Sequence, residues 1–429
     1  MADRPTPSGT RARGLNRLVS WSQHPTILLA MMGQSFINML GTGIVSPVLP
    51  LYAKSFGVSA AAVGMLISAF GISRIPVNVP AGAYAENRGR KPLLVVAPLI
   101  MSVAALFTGL ASHFGQMVAL RLVQGVGSAI QMTAAMIVMA DISTPADRGR
   151  TMSLYQGALL LGTSVGPMIG GFIGEHLGYR TPFFVYAALT LCSAAWAYFA
   201  VSETRGMAHA SAPARSSASS GISWRNAAGL LANRNFLLIS LCTLMVFFTR
   251  TGSQNTVLPL LGSDRLGLGP ERLGYGFTLI ALLNFLTINV SGVLCDRLGR
   301  KVAIVPSGIL TALALVTFTL GHTYWHFLAS CGLLGIGLGV GGPAPAAYVS
   351  DLDLPGGRGL TMGVYRTVGD IGMSVAPVLL GWLSDRVGYN VALLTNAVLF
   401  LLVSSAFGFF AAETRPRTRP ASCPASDNT

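Results

Sequence analysis

Charge is what this sequence has least of. Only 10% of its 429 residues are Asp, Glu, Lys or Arg, against 52% hydrophobic. A soluble globular chain carries about a quarter charged residues, so the apolar surface here must face lipid as well as a core. Acidic residues are the scarcer sign, 15 against 29 basic. The resulting excess of +14 does not point to nucleic acid, because the charges sit in short clusters between apolar runs and not along one face. Cysteine is also sparse. Cys192, Cys242, Cys295, Cys331 and Cys423 show no CxxC spacing and no histidine at metal spacing, which argues against a disulfide framework, a zinc site or any other metal. The first 25 residues are polar and basic and lack the apolar core of a cleavable signal peptide. Two enzyme-like strings, GTSVG (162–166) and GLGVGG (337–342), lie inside apolar helical runs. They lack the preceding strand that a nucleophile elbow or nucleotide loop needs. The composition therefore predicts a membrane protein that is not an enzyme.

What is present is a series of apolar runs long enough to cross the ~30 Å hydrocarbon core as helices. Twelve are predicted, at roughly 26–50, 59–82, 92–111, 116–140, 151–173, 181–201, 236–260, 272–294, 302–320, 326–350, 359–383 and 390–411. None alternates apolar and polar residues as a membrane barrel strand would. With the N-terminus inside, the inner segments hold 20 Lys and Arg and the outer loops 5. That bias predicts both termini in the cytoplasm of a multi-pass protein of the inner (plasma) membrane.

The chain repeats itself. Shifting by 210 residues lays Gly82, Gly89, Arg90 and Lys91 on Gly292, Gly299, Arg300 and Lys301, and Asp141 on Asp351. It also lays RGRTMSLY (148–155) on RGLTMGVY (358–365) and GFIGEHLGY (171–179) on GWLSDRVGY (381–389). A shift of 209 pairs VLPL (48–51) with VLPL (257–260). The predicted architecture is all-α, two pseudo-symmetric six-helix bundles at 26–201 and 236–411. A basic tail at 1–25, an Ala/Ser-rich linker at 202–235 and a tail at 412–429 are all expected in the cytoplasm.

These residues resemble the major facilitator superfamily over almost the whole chain, and within it the twelve-span drug:proton antiporters. The loop GVLCDRLGRK (292–301) matches the family's Gly-x-x-x-Asp-Arg-x-Gly-Arg-Lys signature fully. GAYAENRGRK (82–91) matches it with Glu86 for Asp and Asn87 for Arg. RLVQGVGSA (121–129) resembles the fourth-span motif, whose arginine the family links to proton transfer. GALLLGTSVGPMIGG (157–171) resembles the antiporter motif of the fifth span, placing Gly157, Gly166, Pro167, Gly170 and Gly171 in it. LGTGIVSPVLP (40–50) resembles the first-span motif of the drug exporters.

The resemblance implies a cytoplasmic gate of Gly82, Glu86, Gly89, Arg90, Asp141, Asp296, Arg297, Arg300 and Asp351. Carboxylates there would accept charge-assisted bonds from Arg90 and Arg300 and hold the two halves together. Glu86 reaches further than Asp and Asn87 lacks a positive donor, so the first latch is expected to be the looser one. Glycines 162, 166, 170 and 174 line one helix face, for packing between the halves or for plain helix contact.

Ionisable groups inside a membrane are costly and point to function. Asp370 is the one acidic residue near a mid-span position and the leading proton carrier, with Arg121 as its expected partner in coupling. A static pair with Arg366, four residues earlier on the same helix face, is the alternative. Arg121 has Cys331 as repeat mate, Arg74 has Asn284 and Arg250 has Gly41, so the scaffold alone does not demand these arginines. The substrate cavity is assigned to Gln34, Asn38, Arg74, Gln124, Gln131, Arg250, Gln254 and Asn284. Four mid-span arginines against one aspartate suggest a neutral or anionic amphipathic substrate.

The expected function is proton-coupled efflux of a small organic compound or drug by alternating access. The energy comes from the proton gradient and no cofactor is called for. The partners are the lipid bilayer, the substrate and protons, with the monomer as functional unit. Proton symport importing a sugar or organic acid is the alternative.

Overall fold

The structure is a computed structural model that describes residues 22, 24–144, 147–205, 229–342, 344–352 and 357–413. The two tails beyond these limits and the middle of the linker lie outside the described residues, as do the side chains of Glu86, Asp296 and Arg297.

Among the described residues every regular element is helical. Eleven helices among the described residues are long and apolar enough to cross a membrane. A further helix of 29 residues, Pro270–Leu298, stands where the eighth span is expected. We number them α1 (Pro25–Val45, continued by Leu49–Lys54), α2 (Ala60–Arg88), α3 (Lys91–Gly109), α4 (Phe114–Asp141), α5 (Arg148–Leu177) and α6 (Thr181–Ala200). The second set is α7 (Arg234–Phe248, a π-helical stretch Thr249–Val257, then Leu258–Leu266), α8 (Pro270–Leu298), α9 (Lys301–Leu320), α10 (Tyr324–Gly341 and Ala344–Asp351), α11 (Gly357–Val387) and α12 (Tyr389–Phe410).

Local chemistry sets the helix ends. Ser59, Asn233 and Thr323 accept the backbone N–H three residues on, at 3.1–3.3 Å, which satisfies an otherwise orphan donor. Proline stands in the first turn of α1, α3, α6 and α8, where its missing N–H is not needed. Gly89 and Gly299 close α2 and α8 at φ of 105° and 104°, a backbone that only glycine adopts without strain.

Packing repeats as the sequence does. α1 packs on α5 and α6, α2 on α4, and α3 on α4 and α6. In the second half α7 packs on α11 and α12, α8 on α10, and α9 on α10 and α12. The halves meet through two related pairs, α5 with α8 and α2 with α11. The two VLPL segments reach across: Leu51 enters the core of the second half and Leu260 that of the first. At roughly 2 kcal/mol per buried leucine, this exchange helps close the molecule at that end. Large apolar side chains such as Phe199, Leu402 and Phe409 face outward, as a lipid-facing surface requires.

Candidate functional site

Polar contacts fall in three layers along the length of the molecule. The first lies at the basic end, the end that carries Arg90, Lys91, Arg300 and Lys301. Arg90 Nε donates to Asp141 Oδ2 at 2.9 Å, and Arg300 Nε donates to Asp351 Oδ2 at 3.1 Å. Each pair ties its loop to the fourth helix of the same half, so neither bridges the halves. The first pair is the more enclosed. Asp141 is 9% exposed against 28% for Asp351, and Thr204 Oγ1 also donates to Asp141 at 3.0 Å. The expectation of a looser first latch rests on Glu86, Asp296 and Arg297, whose side chains lie outside the described residues. Gly82 faces Thr133 and Gly292 faces open space.

A second carboxylate per loop completes this layer, one that residue spacing within the loops did not point to. Glu203 accepts the backbone N–H groups of Arg90 and Lys91 at 3.0 and 3.1 Å, capping α3. Glu413 does the same for Arg300 and Lys301 at 2.8 and 3.4 Å, capping α9. Partial burial raises the Glu203 carboxyl, but the N–H groups of Arg90, Lys91, Arg205 and Thr204 outweigh it and hold the group below its usual range. A signal for these caps was present: SETR (202–205) and AETR (412–415) obey the 210-residue shift.

The second layer is at mid-span. Arg121 donates to Gln124 Oε1 at 2.9 Å and lies 5.5 Å from the centre of the Phe70 ring. Arg74 lies 5.9 Å from the same ring and reaches Met132 Sδ at 3.4 Å. Their Nε atoms have no hydrogen-bond partner among the described residues. Across the boundary α2 and α11 run antiparallel, with Gly64 against Pro377 and Gly71 against Ser374. That register sets Arg74 level with Asp370. Arg74 and, less strongly, Arg366 act electrostatically on Asp370, yet neither forms an ion pair with it within 4 Å. The static Arg366–Asp370 pair is therefore absent from this arrangement. Arg121 lies apart from Asp370, beside Tyr186 within the first half.

The amide side chains divide. Gln34 is fully buried and donates to Leu94 O at 2.8 Å, so it faces α3 inside the first half. This corrects its assignment to the cavity: helix phase alone did not say which neighbour its face would meet. Both polar atoms of Asn38 and of Gln131, Nε2 of Gln124 and Oδ1 of Asn284 are buried without a partner among the described residues. Gln254 and Arg250 sit on the π-helical stretch of α7, which the sequence did not predict. Asn396 of α12 fixes that stretch, donating to Thr249 Oγ1 at 3.0 Å and Ser253 Oγ at 2.7 Å.

Along α5 the glycines serve two neighbours. Gly162, Gly166 and Gly170 abut the backbone of α1, where a Cβ would come within 1.8–2.6 Å of a carbonyl oxygen. Gly171 instead meets Pro270 and Gly274 of α8, and Gly274 meets the carbonyl of Pro167. Plain packing on α1 thus explains most of the glycine face, and Gly171 marks the crossing between halves. Gly157 faces open space.

The third layer closes the far end. Asp385, at the end of α11, accepts the N–H groups of Ala60 and Ala61, both at 2.8 Å. Its repeat mate Glu175, at the end of α5, accepts the N–H of Glu271 in the first turn of α8 at 3.5 Å. His176 Nε2 lies 3.1 Å from Glu271 Oε2. Lys54 pairs with Asp264, which also accepts from Tyr389 at 2.7 Å. Thr278 of α8 accepts the N–H of Met168 at 3.0 Å, between mid-span and this end. The cross-half hydrogen bonds of Lys54, Asp385, Glu175, His176 and Thr278 thus hold the molecule shut at the far end.

The chain is similar to known proteins in sequence and in fold. The Major Facilitator Superfamily profile matches residues 31–288 and 239–425. The chain is 27% identical over 370 residues to "Multidrug resistance protein 2" of Bacillus subtilis, covering 85% of this chain and 90% of that one. It is 23% identical over 355 residues to the quinolone resistance protein NorA of Staphylococcus aureus, covering 82% and 88%. Its fold matches that of a bacterial homologue of the human lysosomal transporter Spinster, solved inward-facing and unoccupied. That match has a TM-score of 0.74 at 18% identity, over 91% of this chain and 96% of the other.

Proposed function

Since the chain belongs to the Major Facilitator Superfamily and is a multi-pass membrane transporter and not an enzyme, we propose that it exports a small amphipathic compound in exchange for protons, by alternating access. The observation that carries this reading is the placement of Asp370, a mid-span carboxylate, level with Arg74 of the other half. While Asp370 is ionised it draws Arg74 across the boundary. Protonation removes that attraction, so the hold between the halves at mid-span depends on the proton. Export, as opposed to import, is supported by the fifth-span motif and by relatives named for drug resistance.

The basic end faces the cytoplasm on this reading, with both termini there and the protein in the plasma (inner) membrane. The far end, shut here, faces outside. The monomer is the functional unit on this reading. The proton gradient is the energy source, and no cofactor takes part.

Flux of a compound panel in proteoliposomes under an imposed pH gradient tests this. Asp370→Asn is expected to abolish gradient-driven flux while leaving substrate exchange at zero gradient. Proton coupling retained in that variant would remove Asp370 from the mechanism.

A further inference from the structure

Arg250 is the mid-span charge that the proton mechanism leaves unused. Arg74 has Asp370 across the boundary, and Arg121 has Gln124. Arg250 makes no hydrogen bond or ion pair with any described residue, and no acidic group acts on it. It is nonetheless enclosed by protein and still partly accessible.

The scaffold does not ask for a side chain here. The repeat mate of Arg250 is Gly41, where a Cβ would stand 2.4 Å from the Tyr186 ring. In the second half the equivalent neighbour on α12 is the smaller Asn396, which holds Thr249 and Ser253. Thr256 Oγ1 donates back to Thr251 O at 2.8 Å, five residues earlier, as a π-helical turn allows. Thr249, Thr251, Gly252, Ser253, Thr256 and Val257 are buried in this stretch, so Arg250, Gln254 and Asn255 are its accessible positions. Phe247 meets Gly369 and Gly252 meets Ala376, which sets Arg250 about one helical turn beyond Asp370 along α11.

A guanidinium keeps its charge at any physiological pH. With the basic end open, water can solvate it. When that end closes around a substrate the water is displaced, and a bare buried cation is costly. An oxyanion offsets that cost through paired, charge-assisted hydrogen bonds in the fork geometry of arginine.

We propose that Arg250 receives an oxyanionic group of the transported compound, such as a carboxylate or sulfonate, and so selects organic anions over organic cations. This rests on the export reading, and it names the substrate class.

The test uses three probes with one ring system: 1-pyrenebutyrate, 1-pyrenebutanol and 1-pyrenemethylammonium. Their binding to the purified full-length protein is followed by fluorescence, and their efflux is followed in proteoliposomes under a pH gradient. The expected result is a preference of at least tenfold for the butyrate over the alcohol, with the ammonium weakest. Arg250→Gln should bring the butyrate down to the level of the alcohol, and Arg250→Lys should restore part of the preference. Unfolding temperatures of both variants show that they are folded. Any outcome other than an anion preference that Arg250→Gln removes overturns the proposal. If the ammonium or the alcohol is driven out by the gradient as well as the butyrate, the export reading stands and the anion assignment falls. If no probe is moved by the gradient while the butyrate binds through Arg250, the assignment stands and the export reading falls.

Discussion

Asp385 accepts the backbone N–H of Ala60 at 2.8 Å, although the two residues lie 325 positions apart and in different halves of the chain. The carboxylate of one half caps a helix of the other, with the helix dipole adding to the hydrogen bonds. Replacing Asp385 by Ala should cost about 1–2 kcal/mol of far-end closure. That shifts the balance toward the state open at the far end by roughly 5–30-fold. Spin labels at Ser55 and Asn390, in a background without the native cysteines, should report a longer distance population. An unchanged distribution would show that the cap is incidental to closure.

Arg74 and Asp370 should behave as one unit. Asp370→Asn leaves Arg74 without its opposing charge, and Arg74→Gln leaves the aspartate exposed to the same cost. Each single change is expected to lower the unfolding temperature in detergent. The double variant should lose less than the sum, with a coupling of about 0.5–3 kcal/mol. Strict additivity would mean that the two do not interact.

Glu203 offers a pH signature. Its folded carboxyl is held below the usual range. A depressed carboxyl contributes stability that is complete above its unfolded value, about 4.3, and is lost as pH falls through the folded value. The group is largely exposed, so roughly 0.5–1 kcal/mol is expected, or one to two degrees in unfolding temperature. The difference between wild type and Glu203→Gln should be constant from pH 8 to pH 5 and shrink only in more acidic buffer. A difference that grows as pH falls would contradict the capping role.

Glycine substitutions should separate packing from gating. At Gly89 and Gly299 the φ is positive, and a glutamate carboxylate oxygen lies only 2.5–2.7 Å from where a Cβ would stand. Alanine at either should cost more than about 1 kcal/mol. Gly292 faces open space in this state, and alanine there should stabilise by about 0.5–1 kcal/mol as in any helix. If Gly292→Ala nevertheless slows transport, its open space is filled in the other state, as a gate requires. Normal transport would leave Gly292 outside the gate.

The 210-residue shift made much of this legible. It predicted that Arg90 and Arg300, and Asp141 and Asp351, play matching parts, and they pair in matching ways. The partners of Glu203 and Glu413 escaped because a carboxylate just past an apolar run reads as a solvated helix end. Only the returning loop, some 110 residues earlier, turns it into a cap. The π-helical stretch escaped for a similar reason. Its side-chain partner, Asn396, lies some 140 residues further on, and nothing in TRTGSQNTV itself announces it. Gln34 shows the limit of counting polar residues on a helix: the count gave a polar position, and the neighbour, Leu94, decided its use.

The two carboxylate caps of the far end lie on opposite flanks, Asp385 where α11 meets α2 and Glu175 where α5 meets α8. Two fastenings so separated define an axis between them. While both hold, the halves can only part at the basic end, rocking about that line. Release of Asp385 alone would leave Glu175, with His176–Glu271 beside it and Lys54–Asp264, as the pivot and twist the halves past each other. Opening outward without shear therefore calls for both to let go together, and a duplicated chain supplies two related fastenings suited to that.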